Sequence, residues 1–254
     1  MPHNTADDLP LEIAGLRIQR PSRDASFAEV IERSKREPVR VGWIYANCVN
    51  IAARDDRYRD DVNGFEFLFN DGAGIELAGK VLGRPVRDNL CGTDWIPDLL
   101  SHLNEAGPWR RVFLLGSSDT AVVRARETVG RRWPNLIVCG AHSGYFDDAA
   151  PILAEIAGAR PEILLIGMGV PKQERFISDH WFELMDAGIR IALAGGAIID
   201  HLGGMVTRAP RLWRRLRLEW LWRLLTEPRR LWRRYLLGNA AFLFRLGQQW
   251  RKSG

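Results

Sequence analysis

Six short apolar segments, separated by stretches of helix length, constrain this chain more than any other feature. They are RVGWIYA (40–46), FEFLFN (65–70), RVFLLG (111–116), LIVCG (136–140), EILLIGMG (162–169) and IRIALAGG (189–196). Several are apolar along their whole length instead of alternating with polar residues, so both faces are expected to be buried, as in a parallel sheet covered by helices. Helical patterns run at about 25–37, 74–82, 93–105, 120–133, 149–158 and 172–186, with Asp71 and Asp119 as acids near two of the starts. This alternation predicts a Rossmann-like α/β fold, a mostly parallel sheet flanked by helices. Ligands of such folds bind beyond the carboxyl ends of the strands, and here each of those ends is rich in glycine or small polar residues.

With 254 residues the chain can bury a large core. Its net charge of +5 is unevenly spread. Residues 205–254 hold twelve Arg and one Lys against Glu219 and Glu227, a net +11, and residues 1–204 carry −6. An acidic catalytic domain (1–204) with a basic helical appendage (205–254) is therefore expected, the appendage meeting an anionic partner. That stretch also holds five of the ten Trp residues. Leu212, Leu216, Trp220 and Leu224 form a helical stripe, and Thr226 with Pro228 suggests a break and a new helix offering Leu231, Trp232, Tyr235 and Leu236. Interleaved Trp and Arg suit a membrane interface, whereas a duplex-binding groove is disfavoured by the apolar content and by repulsion from the acidic body. No run of about 18 apolar residues suggests a membrane-spanning helix. The first ten or so residues read as loose. Cys48, Cys91 and Cys139 lack metal-ligand or CxxC spacing and read as buried free thiols.

Several strand ends carry candidate chemistry. Asp71, in the NDGAG run after FEFLFN, serves either as a general base at a strand tip or as a helix N-cap. In GMGVPKQE, Gly167 and Gly169, the rigid Pro171 and the helix start form a turn whose amides could hold phosphate, with Lys172, Gln173 and Glu174 at the same mouth; an ordinary strand–turn–helix corner is the alternative. Gly116 and Ser117 resemble half of a nucleotide-binding turn, and Gly195 and Gly196 lead to Asp200, a ligand-approaching end or a structural cap. The His142–Phe146 loop reads as a packed closure of the sheet edge by Tyr145 and Phe146, with contact to a sugar or base as the alternative. No acidic pair stands beside a strand end and no His/Asp/Glu spacing suggests a metal site, so no metal and no cofactor is expected.

Together NDGAGIELAGKVLG, the GTD at 92–94, HSGYF, GMGVPKQE and TRAPRLWRRLRLEWLWRLLTEPRRLWRRYLLGN resemble the bacterial WecG/TagA/CpsF family, glycosyltransferase family 26, over about Gly42 to Leu243. The resemblance implies inverting transfer of an N-acetylmannosamine-type sugar from a UDP-sugar donor to a polyprenyl-diphosphate-linked saccharide for a surface polysaccharide. It also implies Asp71 as catalytic base, substrate contacts at Asn47, Thr93 and Asp94, and tail arginines Arg223, Arg230 and Arg233 completing the site on the membrane. The expected location is cytoplasmic, peripheral on the inner face of the cell membrane, with self-association through the apolar tail as an option. Two positions depart from the family: Tyr45 stands where Thr is frequent, and Asn50 where His is frequent; both are expected on the active-site wall. A non-catalytic nucleotide-sugar-binding protein is the rival reading, weakened by the lack of a GxGxxG fingerprint.

Overall fold

Alternate residues of the apolar segments face opposite ways, and both sets are buried except in the edge strand over 137–142, where Ile137 is 53% exposed. The computed structural model describes residues 9–206, 209, 210, 213, 219–226 and 228–253, leaving aside the side chains of residues 223, 230, 234 and 253. A short hairpin, β1 (Leu11–Ile13) and β2 (Leu16–Ile18), precedes α1 (Arg23–Arg36). Then follow β3 (Val39–Ile44), α2 (Ala46–Ala52), α3 (Asp56–Asn63), β4 (Phe67–Asn70), α4 (Gly72–Val81) and α5 (Gly92–Ala106). The central part continues with β5 (Arg111–Gly116), α6 (Asp119–Arg132), β6 (Ile137–His142), α7 (Ala150–Ala159) and β7 (Ile163–Gly167). It closes with α8 (Lys172–Asp179), α9 (Trp181–Asp186), β8 (Ile191–Ala194) and α10 (Ile198–Leu202). Six strands form one parallel sheet in the order β4-β3-β8-β7-β5-β6.

The period of two along each strand sorts the core into two layers. Val112, Leu114, Ile163, Leu165, Ile191 and Leu193 pack with Val30, Leu99, Ala125 and Ile199 of α1, α5, α6 and α10. Their neighbours Phe113, Leu115, Leu164, Ile166, Ala192 and Ala194 pack on the other face with Val49, Val62, Ile75, Ile156 and Ile177 of α2, α3, α4, α7 and α8. Fully burying an aliphatic side chain of this size stabilises by about 1.5–3 kcal/mol, which is why these segments form the sheet whatever their local propensity.

Expected boundaries shift where local chemistry intervenes. The strand expected to run through Ala46 ends at Ile44, because Tyr45 takes the N-cap position of α2. The helix expected over 172–186 breaks at His180 into α8 and α9. The β1–β2 hairpin, α2, α3 and α10 go beyond the sequence reading. In the hairpin, Ala14 and Gly15 both adopt positive φ (50° and 76°), the twist that a two-residue hairpin turn requires.

The C-terminal region comprises α11 (Glu219–Thr226), α12 (Pro228–Trp232), a π-helical turn (Arg233–Leu237) and α13 (Gly238–Ser253). The expected break falls between α11 and α12, with Pro228 at the first helical position. Leu212 and Leu216 lie outside the described residues. The end of this region is not a detachable appendage. Phe242 and Leu246 are buried in the same core layer as α2 and α4, and Gln249 accepts from the Ala14 amide and donates to the Glu12 carbonyl. Removing residues 205–254 would therefore strip the body of part of its core, contrary to the expectation of a separable tail. Leu246→Ala is expected to lower the unfolding free energy by about 2–5 kcal/mol. Leu243→Ala, at a 51% exposed position on the same helix, should change it by no more than about 0.5 kcal/mol. Denaturant titration of both variants checks this.

Candidate active site

Because the six strands run the same way, their carboxyl tips share one edge of the sheet, and every loop singled out from the sequence meets there. Helices leaving neighbouring tips part to opposite faces: α2 after β3 packs on one core layer, α10 after β8 on the other. Such a divergence opens a crevice between strand ends. Adjacent strands lie about 4.8 Å apart, so the β4 and β7 tips are separated by three spacings, roughly 14 Å. A ligand reaching from Asp71 to the Gly167–Lys172 turn would have to span that distance.

Asp71 follows β4 and extends its pairing, its amide donating to the Ile44 carbonyl at 2.8 Å. It occupies the N-cap position of α4, yet its side chain makes no capping hydrogen bond. The carboxylate is half-buried and meets the Cys91 thiol at the start of α5. Cys91 Sγ also lies 3.1 Å from Thr93 Oγ1. Burial, with the Asp71 carboxylate next, pushes the Cys91 thiol up, so the thiol stays protonated as a donor beside the acid. Gly72 turns the chain just after Asp71 at φ 79°, a conformation that glycine adopts without strain. The base and cap readings of Asp71 thus separate on geometry: it sits at a cap but does not act as one.

The β7 and β8 corner differs from the expectation. Gln173 and Glu174 are 2% exposed and do not face the mouth. Gln173 Oε1 accepts from the amides of Gly169 (3.2 Å) and Gly196 (3.0 Å), while Nε2 donates to Ala194 O (3.0 Å) and Glu174 Oε1 (2.8 Å). All of its hydrogen-bonding capacity goes into tying two turns together. The Ser117 amide donates to Gly167 O, so the amides of Ser117 and Gly169, expected to hold a diphosphate, are already engaged. Gly116, Gly167 and Gly195 are packing glycines: a Cβ would lie 2.4 Å from Gly167 O, 2.7 Å from Ile199 Cγ1 and 2.5 Å from Ile198 Cγ2 respectively. Gly169 and Gly196, at φ 77° and 60°, instead border open space, where a ligand can approach the backbone. Pro171 closes the turn at the N-cap of α8.

Lys172 is exposed at this rim, donating to Gly144 O at 2.9 Å with its ammonium 5.1 Å from the Phe146 ring centroid. The loop is thereby fixed, and Phe146 packs edge-on against Phe176, but Tyr145 is 78% exposed and closes nothing. Ser117, at φ 55°, donates to Asp200 Oδ1, joining the β5 and β8 loops. On the α5 side, Thr93 and Asp94 line a cavity of about 250 Å³ shared with Arg132, Ile198 and His201. Asn47 is half-buried on the first turn of α2. Asn50, expected on the active-site wall, is 7% exposed and turns to the C-terminal helix: Nδ2 donates to Gly238 O at 2.7 Å, and Oδ1 accepts from Arg245 Nε at 3.3 Å. Arg233 is exposed beside Trp232; the side chains of Arg223 and Arg230 lie outside the description. Cys91 escaped the sequence reading because nothing in its spacing marks it; its nearness to Asp71 is tertiary.

Below the crevice lies a buried titratable cluster. Burial pushes the Glu174 carboxyl up to about 7, against the lowering effect of the bond from Gln173, and its Oε2 has no partner. Burial, then Glu174, pushes the Cys48 thiol up to about 12. The folded protein holds the Glu174 proton more tightly than the unfolded chain does. Between pH about 4.5 and 7 it therefore binds more protons, and stability falls as pH rises through that window. Glu174→Gln should flatten this dependence, raising the melting temperature relative to the parent at pH 8.5 more than at pH 5. Equal shifts at both pH values would show that Glu174 ionises normally.

The Glycosyl transferase WecG/TagA/CpsF family profile matches residues 11–254. A Bacillus spizizenii protein named N-acetylglucosaminyldiphosphoundecaprenol N-acetyl-beta-D-mannosaminyltransferase is 31% identical over 73% of this chain and 70% of its own length. Proteins of the same name from Bacillus subtilis and Staphylococcus aureus are 30% and 28% identical, over 73% and 80% of this chain and 70% and 78% of their own lengths. With a half-exposed carboxylate at the sheet's carboxyl edge and a match across nearly the whole sequence, the chain belongs to the WecG/TagA/CpsF family and is a glycosyltransferase.

Proposed function

We propose that the protein transfers an N-acetylmannosamine-type sugar from a UDP-sugar to a polyprenyl-diphosphate-linked saccharide, inverting the anomeric configuration. The observation that carries this reading is the Asp71 carboxylate, at a strand tip, half-exposed and not used as a cap. Asp71 removes a proton from an acceptor hydroxyl, that oxygen attacks the anomeric carbon, and UDP leaves. The leaving diphosphate needs positive charge. Lys172 at the crevice rim and the arginines at 223, 230 and 233 supply it, so the step proceeds without a metal ion. The separation of the strand tips suits a nucleotide lying toward β7 and β5 with its sugar toward Asp71. The names of the relatives support a diphosphoundecaprenol-linked N-acetylglucosamine as acceptor.

A lipid-linked acceptor supports a reaction at a membrane, and a nucleotide donor supports its cytoplasmic face. Among the described residues no helix is long and apolar enough to cross a membrane. Leu236, Leu237, Leu243, Phe244 and Trp250 are nevertheless more than half exposed, beside the exposed cations Arg229, Arg233, Arg251 and Lys252. Apolar and cationic side chains in this mixture suit peripheral docking on an anionic leaflet. Without a membrane, a second copy could cover the same surface.

A panel of UDP-sugars with a short-chain polyprenyl-diphosphate acceptor, read by UDP release, tests the transfer. Asp71→Asn is expected to lower kcat by about 10²–10⁴-fold with donor binding retained, and EDTA to leave the rate unchanged; a silent Asp71→Asn refutes the assignment of the base. In liposome flotation the protein should rise with anionic vesicles, and a Leu236→Ser/Phe244→Ser variant should stay at the bottom.

A further inference from the structure

We infer that Phe242 and Asn50 are positioning residues, through which the C-terminal helix fixes the two helix starts that carry Asp71 and Asn47. Phe242 is 2% exposed. A Cβ built on Gly74 would lie 3.5 Å from Phe242 Cε1 and 3.4 Å from Ala46 Cβ. Gly74 stands three residues after Asp71, and Ala46 immediately precedes Asn47. The Phe242 ring therefore reaches the place where the first turns of α4 and α2 meet. The open side of Gly74 lets the three groups approach this closely, and the ring in turn limits how far either helix start can shift.

Asn50 sets the helix along its axis. Its bond to the Gly238 carbonyl and the bond it accepts from Arg245 grip α13 at two points two turns apart, on either side of Phe242. Neither side chain touches the crevice, so both act through Asp71 and Asn47. Leu243 and Phe244, next to Phe242 in sequence, are 51% and 67% exposed. One rigid helix thus presents an outer apolar face and, on its inner side, a ring seated beneath the proposed catalytic turn.

This inference rests on Asp71 being the base of the proposed transfer. Its test uses the full chain with the short-chain acceptor. Phe242→Ala and Asn50→Ala are expected to lower kcat about ten- to hundredfold with the KM for the UDP-sugar unchanged, the scale of loss that follows a displacement of about 1 Å. Phe242→Leu, which keeps most of the bulk, should recover most of that rate, whereas Asn50→Asp, which keeps the bond from Arg245 but sets an acceptor against the Gly238 carbonyl, should not. Hydrogen–deuterium exchange should quicken at residues 46–49 and 71–76 and stay as in the parent at β5, β7 and β8. Unchanged kcat, or a loss matched by uniformly faster exchange, overturns the inference. If Phe242→Ala does not fold, Asn50→Ala decides on the same two readouts. A parent that transfers sugar and loses activity on Asp71→Asn, alongside fully active Phe242 and Asn50 variants, overturns this inference alone. A parent that transfers nothing removes the reading of Asp71 and the inference with it.

Discussion

Burial of a parallel sheet on both faces leaves only its two ends open, and the rest of this structure follows from that constraint. With Phe113, Leu115, Leu164 and Ile166 sealed under one layer of helices and Val112, Leu114, Ile163 and Leu165 under the other, the faces have no room for a substrate. Polar chemistry is driven to the carboxyl edge, where the chain turns from strand to helix six times. Each turn has a local solution of its own: a carboxylate at β4, a left-handed serine at β5, glycines at β7 and β8. The site is the sum of these turns, placed side by side by sheet order.

What holds the turns in mutual register is a buried amide. Gln173 joins the β7 and β8 loops through bonds to Gly169, Gly196 and Ala194, and Glu174 fixes which way that amide points. The corner follows a pattern familiar in functional sites: polar side chains withdrawn from the ligand are spent on the backbone geometry that the ligand meets. The glycines divide accordingly into those that let strands approach and those that border the crevice.

Most of the sheet was legible in the sequence, because a segment such as RVFLLG buries every residue after Arg111 and advertises it. Less was legible where structure depends on residues far apart. Helix α2 begins in an apolar run that reads as a continuing strand, and only the Tyr45 turn divides them. The β1–β2 hairpin has Ala-Gly where a stronger turn pair would have marked it. Asp71 was visible as a candidate, but its separation from the capping role required coordinates. Gln173 looked like a site residue from its neighbourhood in sequence and Asn50 from the resemblance to the family, and each proved to be turned away, toward backbone in one case and toward the C-terminal helix in the other. Periodicity reports burial, and it carries no information about which buried group faces which.

The pairing of Gln249 with Glu12 and Ala14 ties the last helix to the first hairpin, while Phe242 and Leu246 fill the core beside α2. On the ribosome those late residues emerge only after the whole sheet has been made. Until then α2 lacks the cover of Phe242 and Leu246, and the hairpin lacks its two bonds to Gln249. A chain released before the last helix would miss the element that completes its interior. The order of synthesis thus puts the closing of this core last.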